Sequence, residues 1–128
     1  MKTLPELRFS IALAIAALPQ LAVAHVYATA PIQFIVLLVL WNMAPLAVAA
    51  ILFIADARYA AWGWLIAVAL FSSYSVAAVL HSDRSTAALG FMWMPVWSFV
   101  IAGPLGASVA TLVSKWHAQN SGNKDQSR

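Results

Sequence analysis

Residues 32–55 read IQFIVLLVLWNMAPLAVAAILFIA, an uncharged run in which only Gln33 and Asn42 carry strongly polar side chains. A helix crossing a bilayer needs about 20 mostly apolar residues, because hydrocarbon offers the backbone no partner outside its own helix. Residues 32–55 therefore read as a transmembrane helix. Outward from it, 9–30 is interrupted only by Ser10, Gln20, His25 and Thr29, and 62–80 carries the hydroxyls of Ser72, Ser73, Tyr74 and Ser75. The run 89–113 contains Pro95 and Pro104. Pro31, Asp56–Arg58 and His81–Ser85 mark short connections between the four runs, and short connections place successive helices antiparallel. The expected fold is an all-α, up-down four-helix transmembrane bundle (residues 1–118), followed by a disordered polar tail at 119–128.

Composition agrees with a lipid environment. The 128 residues are 63 % hydrophobic and 9 % charged, against about 25 % charged in a soluble domain. A chain this small leaves too much surface in solvent to hide so many apolar side chains in water. Soluble enzymes and nucleic-acid binders are excluded on this ground. The chain has no cysteine, which excludes thiol oxidases, disulfides and thiolate metal sites.

The net charge of +3 is better read by position than by sum. With the N-terminus inside, Lys2, Arg8, Arg58, Lys115, Lys124 and Arg128 are cytoplasmic and Arg84 alone is outside, as the positive-inside rule requires. Trp62, Trp64 and Trp116 then fall at the inner interface and Trp93 at the outer one, in an aromatic belt. This predicts a multi-pass protein of the bacterial inner membrane with both termini cytoplasmic. Residues 1–24 also fit a signal peptide, with basic Lys2 and Arg8, an apolar 9–18 and the Ala22-Val-Ala24 motif. Cleavage there would leave three spans and a periplasmic N-terminus.

Glu6, Asp56, Asp83 and Asp125 all lie outside the spans, which argues against ion-coupled transport, since such carriers need a protonatable group in the membrane. Small four-helix multidrug exporters depend on a membrane-embedded glutamate, and this chain has none. The glycine-rich, arginine-bearing motif of small fluoride channels is likewise missing. Neutral polar residues remain: Gln20, Asn42, Ser72, Ser73 and Ser98 fall near the midplane, a pattern typical of interhelical hydrogen bonding. Ala69, Ser73 and Ala77 recur every fourth residue, and Gly103, Ala107 and Ala110 form a second small-residue row, both suited to close helix packing. Pro19, Pro45, Pro95 and Pro104 are expected to kink their helices, and Ser85 or Thr86 to cap the fourth.

On the outer side, His25, His81, Met92 and Met94 are imidazole and thioether groups of the kind copper prefers, although no paired H-x-x-H or M-x-x-M spacing joins them. No catalytic constellation is present, so the chain is expected to be neither an enzyme nor a cofactor carrier. The leading functional expectation is a non-catalytic membrane protein that works through helix–helix contacts with its own copies or with a larger membrane complex. The alternatives are an immunity protein that neutralises a membrane-inserting toxin, and outer-side copper binding through His25 and His81.

Overall fold

The computed structural model describes residues 3–82 and 89–125. Its helices are α1 (Leu4–Val26), α2 (Ile32–Ile54), α3 (Arg58–Leu80), α4 (Gly90–Trp97) and α5 (Gly103–Asp125), and a π-helical turn at Ser98–Ala102 joins the last two. No strand occurs among the described residues. Leu4–Ala22, Ile32–Ile54, Arg58–Leu80 and Gly90–Asn123 are each long and apolar enough to cross a membrane. The molecule is an all-α four-helix bundle with the architecture of a multi-pass membrane protein. We call the end holding the start of α1 and the α2–α3 turn the first end. The second end holds the α1–α2 turn and the start of α4.

Helix limits extend beyond the apolar runs in three places. α1 starts at Leu4 and α3 at Arg58, and α5 continues to Asp125. Hydropathy marks the part of a helix that lies in hydrocarbon, whereas backbone hydrogen bonds continue until something interrupts them. Residues 119–125, expected as disordered tail, are therefore helical. No proline stops them, and the hydroxyls of Thr111 and Ser121 donate back to the carbonyls of Ala107 and His117. The proposed capping residues Ser85 and Thr86, with Asp83 and Arg84, lie outside the described residues.

The α2–α3 turn is built without glycine. Asp56 adopts φ 62°, a left-handed conformation that Asp tolerates better than most residues. The amide of Ala57 donates to Leu52 O at 3.0 Å and that of Asp56 to Phe53 O at 3.2 Å, the two bonds of a Schellman motif. At the α1–α2 turn, Pro31 precedes α2 and its carbonyl accepts from Phe34 and Ile35.

The interior holds two apolar clusters. Toward the first end, Phe9 and Ala16 of α1 meet Leu46 and Ala49 of α2 and Ala61, Trp64, Leu65 and Val68 of α3. Phe9 stacks on Phe53 at 4.1 Å and meets Trp62 edge-on at 5.2 Å. Toward the second end, Leu38, Val76, Phe91 and Met94 form a smaller cluster. The fourth span sheds a partner midway: α4 packs on both α2 and α3, whereas α5 packs on α3. The π turn lies at that change, immediately before Pro104, whose ring crowds a carbonyl in a regular α-helix. A wider turn relieves that crowding.

Candidate functional site: a buried polar layer and an outward α3 face

All four spans contribute one polar side chain to the interior. Gln20 of α1, Asn42 of α2, Ser72 of α3 and Ser98 of the π turn are at most 1 % exposed. Each lies about 6–10 residues from the second end of its helix, or roughly 9–15 Å at the α-helical rise, so they share a depth between the two apolar clusters. Asn42 Nδ2 donates to Leu38 O at 2.8 Å, one turn back. Among the described residues, Asn42 Oδ1 and both polar atoms of Gln20 are buried without a hydrogen bond. Ser73 does not join the layer. One residue along a helix turns the side chain by about 100°, and Ser73 is exposed on the outer surface.

The two small-residue rows have different fates. On α5, Gly103 lies beneath the Trp64 ring so closely that an added Cβ would overlap it, and Ala107 packs on the first-end cluster. A Cβ on Gly106 would strike Gly63 O, and one on Gly63 would strike Gly106 O and Ala110. The close approach of α3 to α5 therefore runs through Gly63 and Ala67 against Gly106 and Ala110. The α3 row Ala69, Ser73 and Ala77 takes no part in it. Ser73 and Ala77 are exposed, Ala69 is half-buried, and a shallow groove shared with Ala12, Ile15 and Pro19 of α1 runs beside Ala69 and Ser73. The Gly63–Ala67 and Gly106–Ala110 pairs carry the four-residue spacing of small residues, so their signal was present in the sequence.

Tryptophan placement also departs from a simple belt. Trp64 is buried, its Nε1–H donates to Pro45 O at 2.8 Å, and Phe99 meets its ring edge-on at 6.3 Å. It ties α2 to the α4–α5 junction and is not an interfacial anchor. Trp93 and Trp116 are exposed. Trp41, also exposed, donates from Nε1 to Met92 O at 3.0 Å and bridges α2 to α4.

The candidate metal ligands are not drawn together as a set. Met94 is buried against Leu38, Val76 and Phe91, whereas Met92 is exposed on the outward groove between α2 and α4. Two residues apart on one helix, the two thioethers face nearly opposite ways. His25 and His81 are exposed, and the Nδ1–H of His81 donates to Ala77 O at 2.8 Å, leaving Nε2. Among the described residues, no group of three or more His, Cys, Asp or Glu is placed to hold a metal ion. Tyr27, at the turn after α1, meets Phe34 and Phe91 edge-on, and burial raises its phenol above the ordinary value. Compared with known proteins, the chain matches no family model, no curated protein and no solved structure.

Proposed function

We propose that this chain is a non-catalytic inner-membrane protein, both termini cytoplasmic, that works by docking the outward face of α3 onto a second transmembrane surface. The observation that carries the reading is the outward part of the row, Ser73 and Ala77, which is exposed and takes no part in the close α3–α5 approach, while Ala69 at its inner edge packs on the core. In lipid no hydrophobic force drives helices together, so association rests on close backbone approach and interhelical hydrogen bonds. A row of small side chains permits the approach, and the Ser73 hydroxyl supplies a bond. A second copy meeting the first about a two-fold axis would present the same row from both sides. Six of the seven Lys and Arg belong to the first end or the termini, which supports a cytoplasmic first end.

The cysteine-free sequence makes the test direct. Ser73→Cys and Ala77→Cys, oxidised in native membranes, are expected to give a crosslinked dimer or a discrete adduct with one partner. Leu37→Cys, exposed on α2, is expected to stay monomeric. Recovery of only monomer from both α3 positions sinks the reading.

A further inference from the structure

At the first end a cleft of about 690 Å³ opens between the start of α1 and the α2–α3 turn. Its chemistry differs from that of the apolar grooves along α2–α4 and α3–α5. The outer rim carries Glu6, Asp56 and Arg58 beside the exposed Ile54, and the wall further along the helices is Leu13 and Ala50. A graded wall of this kind, charged at the helix ends and apolar one to two turns inward, follows the headgroup-to-acyl boundary of a bilayer.

The rim is ordered. The Schellman turn fixes Asp56, and Arg58 Nε donates to Asp56 Oδ1 at 2.9 Å. The guanidinium lies 5.8 Å from the centre of the Phe53 ring, itself stacked on Phe9. This arrangement engages Nε and leaves the terminal guanidinium nitrogens to donate elsewhere, in the fork that suits a phosphate. Glu6 is half-buried in the first turn of α1, with Oε2 accepting from Thr3 N at 2.9 Å. Two carboxylates against one guanidinium leave the rim short of one positive charge. A bare anion is repelled, and a bare cation meets Arg58.

We propose that this cleft binds a phospholipid whose headgroup carries a phosphate and a primary amine, with an acyl chain lying along Leu13 and Ala50. Arg58 takes the phosphate, and Glu6 and Asp56 take the ammonium, which donates three hydrogen bonds. A quaternary headgroup has no N–H to donate, and a glycerol headgroup has no positive charge. The site is independent of what docks on α3.

The test is lipid retention by the detergent-purified full chain, read by native mass spectrometry. Phosphatidylethanolamine, phosphatidylcholine and phosphatidylglycerol of identical acyl chains are added in turn. The ethanolamine lipid is expected to be retained preferentially. Glu6→Gln and Asp56→Asn, the latter because Asn keeps the left-handed turn, should each cut that preference about two- to five-fold, the scale of one exposed ion pair. The double variant should abolish it. Equal retention of the three lipids by the unmodified chain overturns the proposal without reference to any variant. So does a preference that survives in the double variant. Competition by free phosphoethanolamine at concentrations comparable to the lipid would make the ligand a soluble zwitterion and would overturn the lipid assignment.

Discussion

Gln20 is wholly buried, yet among the described residues its amide neither donates nor accepts a hydrogen bond. Leaving a buried polar group unpaired costs about 1–3 kcal/mol, whereas an apolar side chain of similar size carries no such penalty. Gln20→Leu is therefore expected to stabilise the bundle by about 1 kcal/mol, read as a higher midpoint in denaturant titration of the micelle-bound protein. A loss of stability would show instead that the amide is engaged in the membrane. Counting residues from the ends of an apolar run gives depth, and Gln20, Asn42, Ser72, Ser73 and Ser98 all share it. Direction around the helix is harder, since the consecutive hydroxyls of residues 72–75 spread around α3 and leave it little amphipathic asymmetry. Ser72 and Ser73 are adjacent hydroxyls at one depth, and packing alone decides that the first turns inward and the second outward.

Among the helices, α5 holds its own control experiment. Gly106 lies against the backbone carbonyl of Gly63, which has no flexible end to move aside, and Gly122 has open space around it. Gly106→Ala is expected to destabilise by about 1–3 kcal/mol, the range for overpacking. Gly122→Ala should gain up to about 1 kcal/mol from helix propensity. Both are read from unfolding midpoints, and equal effects would refute the α3–α5 crossing described here. The number of helices and their antiparallel order were legible because span length and connection length are direct consequences of the bilayer and the backbone. The partner of each small-residue row was not. Small-xxx-small spacing occurs twice on α3, at Gly63–Ala67 and at Ala69–Ser73–Ala77, and sequence periodicity does not rank one above the other. The absence of even one Cβ lets backbones touch, and that favours the glycine pair for the tightest crossing.

For the whole molecule, α1 is a structural wall. It supplies Phe9, Ala16 and Gln20 to the interior, and Phe9 packs against Phe53 and Trp62. A chain beginning at His25 loses all of them. Such a chain is expected to elute as an aggregate in size-exclusion chromatography, and co-expression of residues 1–30 as a separate segment should restore a single peak, because preformed spanning helices assemble laterally. A monodisperse His25-initiated chain with unchanged unfolding would contradict this packing. The fourth helical run continues past its apolar residues. At 34 residues it reaches about 51 Å at the α-helical rise, well beyond about 30 Å of hydrocarbon.

The two indole hydrogen bonds between helices have a mechanical consequence. Apolar helices in lipid tolerate sliding past one another, since a leucine displaced from a neighbour finds an acyl chain of equal polarity. The indole N–H of Trp64 on Pro45 O and that of Trp41 on Met92 O remove that freedom, because each crosses from one helix to another. A slip of one helix by a single turn, about 5.4 Å, would leave a donor without an acceptor in hydrocarbon. Trp64 and Trp41 thus work as latches, holding α2, α3 and the fourth span at one relative height.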